Sequence, residues 1–422
     1  MSTLIWAILS SAATALVCLL GVVLTRARGT PYLDLDPDSY PPIQDALPMM
    51  AGLTDSSVRE GNSVNVFQNG ALFPAMLADI ANAEQTVHLE TFVWHSGGVE
   101  RTFVDALAAK AQAGVKVRVL IDSLGGSSAS KAELARLKES GAKLANYCKP
   151  RWWNLGRFNH RTHRKLLVID GRIGYTFGHG VADEWLGQAE DPDHWRDTGV
   201  RLEGPVVHAL QSVFAQNWIE ETHTLLAGDN CFPVLERRGD VSMHVVSSAS
   251  GDAVSSVATL YTVAIASARH EVLIQNPYFA PGDGVVELLA MMVRRGVAVH
   301  LMVPGKHTDS PFVRRAGCSL YTPMLEAGVR LYEFEPTLLH QKIVVVDGLW
   351  SHVGSTNFDA RSLALNEEVG VGILDAGVAA ELKAAFQQDL RRSHELKLEE
   401  WRRRPIYDRV FERCAYLLHE QL

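Results

Sequence analysis

A histidine, a lysine two residues on and an aspartate five after that occur twice in this chain. They are His163, Lys165 and Asp170 in HRTHRKLLVIDG, and His340, Lys342 and Asp347 in LHQKIVVVDG, with the two histidines 177 positions apart. Each copy lies on an apolar run that reads as a strand, and each follows the same succession of elements. In the first half a strand over 85–94 leads to an amphipathic helix over 100–114, closed by Gly114. A strand over 115–122, a helix over 130–141 and a strand over 142–147 follow, and after the motif comes a helix over 206–221. The second half repeats the order: strand 270–279, helix 284–296, strand 297–305, a helical stretch near 311–327, strand 329–336, the motif, and a helix over 378–396. A duplicated unit of this size constrains the architecture before any single residue is weighed. It predicts an α/β protein of two like domains, 61–230 and 231–396, with mostly parallel or mixed sheets flanked by helices and packed with pseudo-two-fold symmetry.

In a strand, side chains two apart share a face, so His163 points with Lys165, and His340 with Lys342. The aspartates come seven positions after each histidine, an odd offset, and directly precede Gly171 and Gly348. That spacing gives Asp170 and Asp347 a supporting role at the strand end rather than one in proton transfer. Two imidazoles and two ammonium groups in one place suit phosphoryl chemistry. A neutral imidazole attacks phosphorus, and a protonated one delivers a proton to the leaving alcohol. With ordinary histidine pKa values near ~6.5, both forms are accessible at neutral pH. A lysine about 4 Å from a phosphate oxygen contributes on the order of 4 kcal/mol at an effective dielectric of ~20. An electrophilic metal is then unnecessary, so the expectation is no metal and no cofactor.

Charge points the same way. The chain carries a formal net charge of −8, which argues against nucleic acid as a partner. Residues 149–172 nevertheless hold seven Lys and Arg (Lys149, Arg151, Arg157, Arg161, Arg164, Lys165 and Arg172) against Asp170 alone, a basic mouth on an acidic protein. Trp152 and Trp153 in that stretch suit either a lipid-headgroup surface or a buried pair. The five cysteines (Cys18, Cys148, Cys231, Cys318 and Cys414) are scattered and odd in number, which reads as free thiols in a reducing compartment.

The doubled motif resembles that of the phospholipase D superfamily, and the second copy continues with GSTNFDARS, similar to a phosphate-binding extension of that family. Longer stretches, NHRTHRKLLVIDGRIGYTFGHGVADEW, HWRDTGVRLEGPVV, NPYFAPGDG and RSLALNEEV, resemble its bacterial cardiolipin synthase branch. The resemblance covers about residues 60–395. It implies phospholipase D-like domains, with Ser355 and Asn357 binding phosphate, Asp197 orienting His340, and Glu368 orienting His163. It also implies that His163 is the nucleophile and His340 the acid and base. One departure stands out: Gly180 occupies the place where relatives carry an asparagine, so His179 or a backbone N–H substitutes, or the first half holds phosphate less fully.

Residues 4–24 are 21 positions without a charge, enough at ~1.5 Å per residue to span the ~30 Å of bilayer hydrocarbon. Residues 1–25 therefore read as a transmembrane anchor, 26–60 as a linker and 397–422 as an amphipathic tail. Arg26 and Arg28 follow the anchor, which puts the catalytic domains on the cytoplasmic side of a bacterial cell membrane. The expected reaction is transfer of a phosphatidyl group from one phosphatidylglycerol to a second, through a phosphohistidine, forming cardiolipin and releasing glycerol. The same chemistry with water as acceptor would make a phospholipid hydrolase or, against the charge argument, a nuclease. The sequence carries no statement about oligomeric state.

Overall fold

The computed structural model describes residues 5–6, 9–17, 39–149, 160–228, 230–249 and 255–417. The first half runs α1 (Leu47–Leu53), β1 (Arg59–Gln68), α2 (Leu72–Ala81), β2 (Thr86–Thr91), α3 (Gly98–Gln112), β3 (Lys116–Asp122), α4 (Lys131–Glu139), β4 (Lys143–Tyr147), β5 (Leu166–Ile169), β6 (Ile173–Phe177), β7 (Thr198–Glu203) and α5 (Val207–Thr222). The second runs β8 (Val241–Ser248), α6 (Ser256–Ala266), β9 (Glu271–Gln275), α7 (Asp283–Arg294), β10 (Ala298–Pro304), α8 (Pro311–Cys318), α9 (Tyr321–Ala327), β11 (Arg330–Phe334), β12 (Ile343–Val346), β13 (Trp350–Gly354), α10 (Ala360–Ala364), β14 (Glu368–Leu374) and α11 (Ala376–Leu390). The strand β15 (Ser393–Leu396) and helices α12 (Leu398–Arg402) and α13 (Ile406–Tyr416) close the chain. Local chemistry sets several helix starts: the side chains of Ser130, Ser255 and Asp375 each accept from the backbone N–H three residues on, capping α4, α6 and α11.

The described strands form one 15-stranded sheet, ordered β15-β11-β10-β9-β12-β13-β14-β8-β1-β7-β6-β5-β2-β3-β4. Apart from β15, the order reads the same outward from the β8–β1 seam in both directions, as a two-fold repeat requires. The sheet is mixed, one of the two arrangements that the sequence allowed. Only the pairs β2–β3, β3–β4, β9–β10 and β10–β11 are parallel. Helix α3 links β2 to β3, α4 links β3 to β4, α7 links β9 to β10, and α8 with α9 links β10 to β11, whereas β5–β6–β7 and β12–β13–β14 follow in antiparallel succession.

Strand residues alternate between two covered faces. Leu166 and Val168 pack with α5 and α11 residues, and Leu167 and Ile169 pack with the cluster under α2 and α3. The α5–α11 core contains Phe214 and Leu210 of one half together with Leu382 and Phe386 of the other, so the halves share a single apolar layer. Residues 43–53 fall in the stretch read as linker, yet Ile43, Leu47 and Met50, spaced along one face, pack into the core of the second half. The helical stretch near 311–327 is two short helices, α8 and α9.

Residues 9–17 of the anchor stretch are helical and exposed, and most of its remainder lies outside the described residues. Among the described residues no helix is long and apolar enough to cross a membrane. Arg151, Trp152, Trp153 and Arg157 also lie outside them.

Among the buried ion pairs of the described residues that tie the halves, one lies outside the two histidine motifs. Arg196, just before β7, stands 3.0 Å from Asp389 of α11, and both side chains are almost fully buried. Asp389→Ala should leave a guanidinium without its counter-charge in the interior and cost about 3–5 kcal/mol, read as a lowered unfolding midpoint in calorimetry. A change within about 0.5 kcal/mol would show that this pair does not join the halves.

Candidate active site

Each motif histidine lies just before its strand, and the backbone there reaches into the other half. Thr162 forms a parallel bridge with Glu367, the His163 N–H donates to the Glu367 carbonyl at 2.8 Å, and the Glu367 N–H donates to Arg161 at 2.9 Å. The next residues along the two chains, His163 and Glu368, therefore lie side by side. The second half copies this arrangement. Arg196 bridges Leu339, the His340 N–H donates to Arg196 at 2.7 Å, and the Arg196 N–H donates to Leu338 at 3.0 Å. Asp197 and His340 are the neighbours that result.

The side chains follow the backbone. His163 Nδ1 lies 2.9 and 3.0 Å from the two carboxylate oxygens of Glu368. His340 Nδ1 lies 2.8 Å from Asp197 Oδ2. An ionised carboxylate only accepts, so each Nδ1 carries the proton and each Nε2 keeps its lone pair. Lys165 Nζ donates to the His163 carbonyl at 2.9 Å and stands 5.6 Å over the Phe92 ring, which itself meets His163 edge-on at 5.2 Å. Lys342 Nζ donates to the His340 carbonyl at 2.7 Å and lies 3.0 Å from His340 Nε2. Both lysines and both acids are buried, while the imidazoles keep 8% (His163) and 6% (His340) exposure, enough to present an edge to a bound group.

Electrostatics in this pocket act strongly on every member. Burial lowers His163 to about 4, with Lys165 adding to the effect against the pull of Glu368. Burial and Lys342 lower His340 to about 3. Burial and the charge of Lys342 bring Lys165 down to about 7, and burial brings Lys342 to about 8. Burial by itself would raise the two acids. His179, His340 and Lys342 instead hold Asp197 well below the carboxylate range, and His163, Lys165 and Ser355 lower Glu368.

The other sequence candidates fall into distinct places. Ser355 Oγ donates to Glu368 Oε2 and accepts from the Val369 N–H at 3.0 Å, so its hydroxyl orients the acid. Asn357 is 4% exposed and its Oδ1 has no hydrogen-bond partner. Asp170 and Asp347 lie at the opposite ends of β5 and β12 from the histidines. Asp170 accepts from the N–H groups of Glu84, Gln85 and Thr86, and Asp347 from those of Arg269, His270 and Glu271. Their carboxylates pin the hairpin turn to the neighbouring strand, and both residues have positive φ, 52° and 53°. The basic mouth is partly internal: Arg164 is buried, with Nη2 3.4 Å from Glu367.

Sequence reasoning missed Trp185. Its indole N–H donates to Asp197 Oδ2 at 2.8 Å, and its ring meets His340 edge-on at 5.3 Å. Gly180 explains how it fits, because a Cβ there would come within 2.8 Å of Trp185 and 2.7 Å of Val93. His179 does not stand in for the asparagine, since its Nε2 is 2.8 Å from the Asn69 carbonyl. The signal was present in the sequence: a glycine where a side chain is expected implies that another group fills the space. Among the described residues one group of metal-ligating type occurs, Glu190, Asp191 and His194, part-exposed, with His194 Nδ1 2.8 Å from Asp191 Oδ1.

The buried histidines have a consequence for stability. His88, His163 and His244 sit near 4, and His340 and His352 near 3, all lowered first by burial. The unfolded chain titrates these groups near ~6.5, so between that pH and about 4 it binds more protons than the folded one. Stability is therefore present above pH ~6.5 and lost on acidification, at about 1.4 kcal/mol per pH unit for each proton. Unfolding midpoints measured from pH 7 to 4 should fall steeply, and a flat profile would contradict neutral, buried imidazoles.

Comparison with known proteins follows this geometry. A family model described as cardiolipin synthase, PLD-like domain, matches residues 76–187 and 261–390, one segment in each half. The chain is 36% identical over 364 residues to the major cardiolipin synthase ClsA of Bacillus subtilis, covering 85% of this chain and 75% of that protein. It is 31% identical over 401 residues to a cardiolipin synthase of Listeria monocytogenes, covering 94% and 82%. Among solved structures, the fold is similar to that of phosphatidylserine synthase from Haemophilus influenzae. The TM-score is 0.66 at 14% identity, over 85% of this chain and 95% of that one.

Proposed function

The chain belongs to the cardiolipin synthase family of phospholipase D-like enzymes, and from that premise we propose that it joins two phosphatidylglycerol molecules into cardiolipin and glycerol. The observation that carries this reading is the crossed pair of dyads, His163 with Glu368 and His340 with Asp197, with Lys165 and Lys342 between them.

In the proposed cycle the phosphodiester enters between the two lysines, and its negative charge raises the proton affinity of His340, which takes up a proton at Nε2. The His163 Nε2 lone pair attacks phosphorus and the bond to the glycerol oxygen breaks. That oxygen leaves with the proton from His340, and the phosphatidyl group stays on His163. A headgroup hydroxyl of the second phosphatidylglycerol then gives its proton to His340 Nε2 and attacks phosphorus. The P–N bond breaks, which restores neutral His163 and protonated His340. Glu368 and Asp197 hold the tautomers and stabilise the imidazolium forms. Asn357 contributes a donor to the phosphate through its amide Nδ2. Exclusion of water from the intermediate separates this transferase from the hydrolase reading.

The stretch 4–24 we read as a single anchor that keeps the two catalytic halves, 61–230 and 231–396, at the cytoplasmic face of the cell membrane beside their substrate.

Supplied with phosphatidylglycerol vesicles, the protein should form cardiolipin and free glycerol in equal amounts, resolved by lipid mass spectrometry. Phosphatidic acid as the main product would replace transfer by hydrolysis. His163→Ala and His340→Ala should each lower turnover at least about 10³-fold. With a nitrophenyl phosphodiester, whose leaving group needs no proton, His340→Ala should give a single burst of nitrophenol and His163→Ala none. A burst from His163→Ala would reverse the two roles.

A further inference from the structure

Helix α13 is built inside out. Its inward side carries Asp408, Glu412 and Ala415. Asp408 is held 2.8 Å from Arg315 of α8, and Glu412 2.6 Å from Arg404. Its outward side carries Ile406, Tyr407, Val410, Phe411 and Leu417, at 77, 69, 58, 52 and 81% exposure, with Phe312 of α8 beside Phe411. A helix that only closes a soluble fold buries its apolar stripe; this one turns its large apolar side chains to the outside and faces both of its acids inward.

The position of this face matters. Ala415 packs with Ala316 and Ala280, and the Tyr416 hydroxyl donates to the Pro281 carbonyl at 3.3 Å. The Ala280 N–H in turn donates to Phe358 at 2.9 Å, the residue after Asn357. The inward side of α13, opposite the exposed stripe, is thus two short contacts from the segment that carries Asn357. The edges of the stripe are basic: Arg403, Arg409 and Arg413 are exposed, whereas the two acids of α13 are already paired with arginines.

We propose that this face docks on a bilayer containing anionic phospholipid, as a membrane contact separate from the N-terminal stretch that holds the pocket mouth against the lipid surface. A second copy of the chain fits less well, because a two-fold pairing of this patch sets its arginines against each other. The identity of the lipid consumed there rests on the function proposed above; the docking itself does not.

The exposed Cys414 lies in the stripe, and Cys148, Cys231 and Cys318 are buried, so it can carry a polarity-sensitive fluorophore in the full-length chain once Cys18→Ser removes the other thiol. The protein is reconstituted in phosphatidylcholine vesicles with and without phosphatidylglycerol. The label should shift to the blue and be quenched by lipids spin-labelled in the acyl chain, several-fold more in the anionic vesicles and less at high salt. Ile406→Glu and Val410→Glu, both at exposed positions, should abolish the shift. They should also raise KM for vesicle substrate several-fold, while turnover of detergent-dispersed substrate stays unchanged.

A label that remains in water in both vesicle types overturns the proposal, as does a shift that appears without lipid when the chain self-associates. If the label enters the bilayer but no phosphatidyl transfer occurs, the docking stands and the proposed reaction falls.

Discussion

Two short backbone bridges carry most of what this molecule can do. Where Thr162 pairs with Glu367 and Arg196 with Leu339, each half lends its main chain to the other at the residue before a functional side chain. The bridges are parallel, so the following residues stay in step, and histidine meets acid across the seam twice. No side-chain recognition is needed for that pairing; register alone produces it. The shared α5–α11 core and the Arg196–Asp389 pair keep the register from slipping.

The pocket is costly in electrostatic terms. Two lysines, two acids and two histidines are removed from water, and the balance is reached by leaving both imidazoles neutral and lowering both lysines. A site tuned this way answers an arriving anion readily, because one added negative charge favours protonation at every neutral base nearby. The neutral resting state of both histidines differs from the mixed protonation that ordinary pKa values suggest. The difference is burial, which no spacing of residues in the sequence displays.

The halves are alike in backbone and unlike in support. In the second half the Ser355 hydroxyl steadies the longer acid, Glu368. In the first, glycines at 178 and 180 open space that Asp197 and the Trp185 indole fill, and the indole N–H takes the place of the hydroxyl. The asymmetry is a repacking around one large ring, and it leaves the histidine–acid geometry equivalent on both sides, at 2.9 and 2.8 Å.

The doubled His-x-Lys pattern and the repeated βαβαβ order were enough to read the two-fold α/β architecture. Both are local periodicities written directly along the chain. The phospholipase D resemblance pointed to the same acids, Asp197 and Glu368, that lie against the histidines. Alternation of apolar residues cannot say which strands run antiparallel after the last crossover, so the strand order and its β1–β8 seam emerged only in three dimensions. Tertiary structure likewise assigned Asp170 and Asp347 to backbone pinning and packed residues 43–53 into the distant half. It also turned the apolar stripe of α13 outward: periodicity fixes the angle between residues on a helix, and only packing decides which side faces the protein.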